Sequence, residues 1–99
     1  MNLPEMPNFH DAYLMRIVVE WAQETSSVDL EFQLYANGTA HLFVERASGL
    51  SFERTNPWGP SESVKKVSLS VVGENSILLS IEMHSGDVIT LTGDDIRIV

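Results

Sequence analysis

Glu82 and His84 stand two apart in a stretch of alternating apolar residues, so on a strand both side chains would leave one face, with Asp87 just past a turn at Gly86. No other histidine in the chain has an acid two positions away. A metal needs at least one more ligand, and His10 and His41 qualify only if the fold carries them across. The competing reading is a solvated strand face, and the expectation is a protein without a metal or other cofactor. His10-Asp11 comes next, because an acid beside an imidazole can orient it for base work or metal binding. Neighbours on a strand point to opposite faces, which argues against contact between these two. The expectation is that Asp11 bonds backbone amides where the lead-in enters the sheet, with His10 at the rim. Trp58 sits between Pro57 and Pro60 and beside Gly59, so its backbone has little freedom. A preorganised indole can anchor a partner or a flat ligand, or it can act as a lid closing one end of the fold. The residues expected to contact a partner or ligand are therefore Pro57, Trp58, Glu82, His84 and Asp87.

A nucleophile arrangement is missing. The chain has no cysteine, no Gly-x-Ser-x-Gly, no phosphate loop and no zinc-protease helix. The expectation is a non-enzymatic protein with no catalytic residue. Absence of cysteine also excludes disulfides and thiolate metal sites.

The charge balance limits the partners. Fourteen Asp and Glu against six Lys and Arg give a net charge of −8. Residues 1–57 hold eight acids and three bases, and residues 58–99 hold six and three, so the acidity forms no tail. A nucleic-acid binder needs clustered cations, and the only adjacent pair here is Lys65-Lys66. Nucleic acid and anionic membrane are both disfavoured. The plainer reading of the acidity is solubility; the sharper one is attraction to a basic protein partner, since complementary fields speed encounter. No apolar run approaches the roughly 20 residues of a spanning helix. Met1-Asn2-Leu3-Pro4-Glu5 shows neither a basic n-region nor an apolar h-region, so the cytoplasm is the expected compartment.

The elements that must position these residues read as β throughout. Ninety-nine residues make one domain, with 1–8 as an extended lead-in. Residues 13–24 admit two readings, a helix with an apolar stripe at Leu14, Ile17, Val18 and Trp21, or a strand. In the strand, Met15, Ile17, Val19 and Trp21 face one side, and the β-branched run Ile17-Val18-Val19 favours it. From Val28 the alternation is clean, with Leu30, Phe32 and Leu34 inward, and the next strand sets Ala40, Leu42 and Val44 inward. Matching these faces requires a three-residue loop, Ala36-Asn37-Gly38, because a one-residue slip would flip every side chain. The expected form is a type I turn with Gly38 left-handed in a bulge; Asn37 and Gly38 both at positive φ would contradict it.

Leu50 and Phe52 mark a short strand, after which residues 55–62 read as a stiff proline-tryptophan connector between two antiparallel β halves. Val67, Leu69 and Val71 pair through a second three-residue loop with Ile77, Leu79, Ile81 and Met83. Ile89 and Leu91 are expected opposite Met83 and Ile81. The total is seven or eight hairpin-connected strands, which predicts an all-β, single-domain antiparallel sandwich or small barrel. Val18, Phe43, Val72 and Leu78 fall on the outer face, either as scattered apolar residues or as a patch buried in a homodimer.

Phe9-His10-Asp11-Ala12, a Trp-bearing middle, and Ile81-Glu82-Met83-His84-Ser85-Gly86-Asp87 resemble small bacterial all-β domains, some of them immunity proteins of polymorphic toxin systems. The resemblance covers most of residues 9–92. It implies a compact β domain that acts by binding, with no catalytic residue to carry over.

Overall fold

In a computed structural model, residues 7–21, 28–52, 54–55 and 62–99 are described. They form eight strands: β1 (Tyr13–Trp21), β2 (Val28–Tyr35), β3 (Thr39–Glu45), β4 (Ser48–Phe52), β5 (Val64–Val71), β6 (Ile77–Met83), β7 (Val88–Gly93) and β8 (Asp95–Ile98). All pairings are antiparallel, in two four-stranded sheets ordered β1-β2-β3-β8 and β4-β7-β6-β5. The inner faces meet through Leu30, Phe32, Leu34, Leu42, Val44 and Ile96 on one side and Ile77, Leu79, Ile81, Met83, Ile89 and Leu91 on the other. The fold is thus a small β-sandwich, as the alternation predicts. No helix long and apolar enough to cross a membrane occurs among the described residues.

Residues 13–21 are strand, in keeping with their β-branched run. One detail differs. The register shifts between Leu14 and Arg16, so Leu14 pairs with Leu34 and Ile17 with Phe32, while Met15 bulges out and is exposed. The bulge switches which side chains face inward. Val19 and Trp21 occupy inward positions opposite Leu30 and Val28 yet are 47% and 78% exposed, because β1 is an edge strand.

The first hairpin has the expected register, Leu34 to Ala40, Phe32 to Leu42 and Leu30 to Val44. Its turn type is a correction. Asn37 has φ 60° and Gly38 φ 134°, so both are positive and the turn is not type I with a lone left-handed glycine. Within this turn the Ala36 N–H donates to Gly38 O at 2.9 Å. The second hairpin matches expectation, with Val71 opposite Ile77 and Val72 bonding Ser76 around Gly73-Glu74-Asn75. In the third, parity is right but the register differs by two. Ile89 lies opposite Ile81 and Leu91 opposite Leu79, because Met83 N–H bonds Asp87 O and the turn is His84-Ser85-Gly86.

The division into halves also differs. β4 and β5, which flank the proline-tryptophan connector, are opposite edges of the same sheet. The chain changes sheets elsewhere, between Glu45 and Ser48 and again between Gly93 and Asp95. These two crossings lie side by side. Asp94 N–H bonds Glu45 O at 3.0 Å, and Arg46 Nε donates to Asp94 Oδ2 at 2.7 Å, a bond that raises the guanidinium pKa above its ordinary value. Gly93 is buried there, and a Cβ at this position would collide with Val44 Cγ1. On the opposite side, Tyr13 bridges Ser63 and Leu14 N–H bonds Glu62 O, stitching edge β1 to edge β5.

Candidate functional site

The segment before β1 is a tight turn. Ala12 N–H returns to Phe9 O at 2.9 Å, and Asp11 in the third position has φ 66°. Aspartate tolerates that left-handed backbone better than most residues. Phe9 and Ala12 are buried and anchor the turn, which leaves His10 and Asp11 outside. Asp11 N–H donates to Val64 O at 2.7 Å and Val64 N–H to Ala12 O at 2.7 Å, so the turn is zipped onto β5.

On the other side, His84 opens the β6–β7 turn, and its N–H bonds Ser63 O at 3.0 Å. These backbone bonds bring His84 Nε2 to 2.7 Å from Asp11 Oδ1. His10 Nε2 lies 3.6 Å from the same oxygen, and its Nδ1 is 2.9 Å from Lys65 O. The two imidazoles pack edge to face with centroids 5.2 Å apart. His10, Asp11 and His84 thus offer three ligand atoms within 4.8 Å of one another, all at the surface.

This cluster corrects two expectations. The acid does not serve backbone amides in this turn, since Asn8 Oδ1 accepts the His10 N–H at 3.0 Å and leaves the Asp11 carboxylate to the imidazoles. His10 and Asp11 do approach each other, because they lie on a turn and the opposite-face rule for strands does not apply. His10 is at the rim as expected.

The residues singled out from the sequence scatter. His84 is in the cluster, but Glu82 remains on β6 and pairs with Lys65 Nζ at 3.6 Å. Asp87 is 4% exposed and holds the chain after β4 in place. It accepts Thr55 Oγ1 at 2.6 Å, Thr55 N–H at 3.2 Å and Ser85 Oγ at 3.0 Å. Pro57 and Trp58 lie outside the described residues. His41 is on the other sheet, away from His10 and His84.

A second feature lies on the outer face of the β1-β2-β3-β8 sheet. Val18, Glu31, Phe43 and Arg97 are cross-strand partners in one row over all four strands. Arg97 lies over the Phe43 ring at 5.4 Å, and His41 stacks beside it with centroids 6.0 Å apart. Around this row is a groove of about 240 Å³, whose lining includes Val18 and Phe43, the carboxylates of Glu20, Asp29, Glu31 and Glu45, and Arg97. Asp29 accepts the Arg46 N–H, Glu45 lies 3.3 Å from Arg97, and Glu31 accepts a bond from Gln33 at 2.9 Å. His41 Nδ1 is 3.4 Å from Glu31 Oε1 but has no aligned hydrogen bond. The alternation in the sequence puts Val18 and Phe43 on the outer face together with Glu20, Asp29, Glu31 and Glu45; it does not show that these residues line one groove.

Comparison with protein-family models, with curated proteins and with solved structures finds no match.

Proposed function

We propose that this protein is a non-enzymatic binding domain that receives Lys or Arg side chains of a basic protein partner in the groove on the β1-β2-β3-β8 face. The observation that carries the reading is the composition of that groove, an apolar floor of Val18 and Phe43 with four carboxylates and one guanidinium around it. Lys and Arg have an aliphatic stem and a charged head, so one side chain can satisfy both parts. Phe43 already accepts a guanidinium from within the chain, that of Arg97. A net charge of −8 adds longer-range attraction for such a partner.

Size favours this reading over small-ligand binding. The groove of about 240 Å³ falls below the roughly 300–1,000 Å³ of small-molecule pockets. An immunity-type inhibitor that meets a basic toxin is the role proposed for such a domain. The test is an anisotropy titration with a labelled Arg- and Lys-rich peptide at low and high salt. Binding should weaken with salt and fall about tenfold or more in Glu31→Lys and in Phe43→Ala. Equal binding of a peptide with Asp and Glu in place of the cations would overturn the reading.

A further inference from the structure

We propose that His10, Asp11 and His84 form a binding site for a divalent transition metal of the zinc type, independent of the groove. Lys65 O can only accept, so His10 Nδ1, 2.9 Å away, donates to it. In the neutral ring that leaves a lone pair on Nε2, which lies 3.6 Å from Asp11 Oδ1. Two acceptors this close repel unless a cation lies between them. A ring N–H bonded to a backbone carbonyl is also the usual arrangement behind a metal-binding histidine, because it fixes the tautomer and aims the other nitrogen.

His84 supplies the second nitrogen. Its Nε2 at 2.7 Å from Asp11 Oδ1 must carry a proton that it donates to the carboxylate. As a metal enters the cluster, that proton passes through solvent to Nδ1 of the same ring, leaving a neutral imidazole whose Nε2 binds the ion beside His10 Nε2 and Asp11 Oδ1. Ligands of a tetrahedral zinc, at about 2.0–2.1 Å from the ion, lie roughly 3.3 Å apart. The three atoms here are within 4.8 Å of one another, so small side-chain rotations at the surface complete the set.

The backbone is preorganised for this. Asp11 is held at φ 66° by its bond to Val64 O, and His84 by its bond to Ser63 O, two adjacent residues of one edge. Left-handed backbone at a non-glycine residue is a local cost of the kind that collects at functional sites. Two imidazoles and one carboxylate select zinc, copper, nickel or iron over calcium and magnesium, which prefer all-oxygen shells. Three protein ligands leave a fourth position for water or for a group from a partner.

The test uses the full chain without an affinity tag, dialysed free of metal and titrated with zinc chloride by calorimetry. One zinc per chain with micromolar or tighter affinity is expected. His10→Ala, His84→Ala and Asp11→Asn should each weaken binding by about 100-fold or more, at or beyond what loss of an outer-shell partner costs. Asn is chosen at position 11 because it keeps the left-handed backbone and removes only the charge. His41→Ala, in the third histidine, should leave zinc binding unchanged. All three ligand side chains are at least 31% exposed, so the variants retain the fold, and circular dichroism checks it. No zinc uptake, as expected if a proton on His10 fills the gap, or equal uptake by His84→Ala, would overturn the proposal.

Discussion

His84 Nε2 lies 2.7 Å from Asp11 Oδ1, joining positions 73 apart in the chain, and the contact falls where the β6–β7 turn meets the turn ahead of β1. It is an exposed pair, with side-chain accessibilities of 31% and 71%. Solvent screens such a pair, so its share of folding stability is small. In metal-free buffer, His84→Ala should cost below about 1 kcal/mol in urea unfolding. A cost of several kcal/mol would mean that the contact serves the fold.

Asp87 presents the opposite case. It is buried, and its carboxylate accepts two bonds from Thr55 and one from Ser85. Hydrogen bonds to a buried charge are each worth about 1.5–3 kcal/mol, and a lost acceptor leaves its donors unpaired. Asp87→Ala should therefore destabilise by about 2–4 kcal/mol, read by urea unfolding. Loss of amide protection at Thr55 should accompany it.

At Gly93 the limit is space. A methyl group there would overlap Val44 Cγ1 and press on Glu45 O where the chain passes between sheets. Gly93→Ala should cost about 1–3 kcal/mol, the range for overpacking a filled interior. In a Val44→Ala background the Gly93→Ala step should cost less than it does alone, because the atom in the way is gone.

These sites show what periodicity can and cannot reveal. Leu30, Phe32 and Leu34 face inward opposite Val44, Leu42 and Ala40 because alternation in both strands admits one register. Turn geometry was less legible. Asn37-Gly38 marks a turn, but the loop closes through Ala36 N–H to Gly38 O, which composition does not encode. A bulge at Met15 is likewise invisible in an alternating run, and it moved Met15 from the core to the surface. The His10–Asp11–His84 cluster depends on which edge strand the lead-in zips against, a non-local pairing. A local hint exists in Phe9 and Ala12, the two apolar residues that flank the pair and anchor the turn. For the groove, Val18 and Phe43 were legible as outward apolar positions. Their alignment with Glu31 and Arg97 required the strand order β1-β2-β3-β8.

Backbone conformation at Asn37 gives a direct substitution test. With φ at 60°, it occupies a region that costs most L-residues about 1–2 kcal/mol. Asn37→Gly should be near neutral in thermal unfolding, whereas Asn37→Val should lose at least that amount. Equal stability of the two variants would place Asn37 elsewhere in backbone space.

Arg97 competes with any incoming cation for the same surface. It lies over Phe43 and 3.3 Å from Glu45, so the chain's own guanidinium covers part of the groove. Arg97→Ala should tighten binding of the Arg- and Lys-rich peptide severalfold, because it uncovers the ring and removes one opposing charge. The gain should shrink as added salt shortens the screening length from roughly 10 Å at 0.1 M to roughly 3 Å at 1 M.

The measurement that bears most directly on the binding role is a map of backbone amide shifts as that basic peptide is titrated into isotope-labelled protein. Shifts should concentrate at Val18, Glu31, Phe43 and Arg97, the row that crosses the sheet, and should vanish in a Glu20→Lys/Glu31→Lys variant. Shifts confined to the β4-β7-β6-β5 sheet, or unchanged by the double charge reversal, would contradict it.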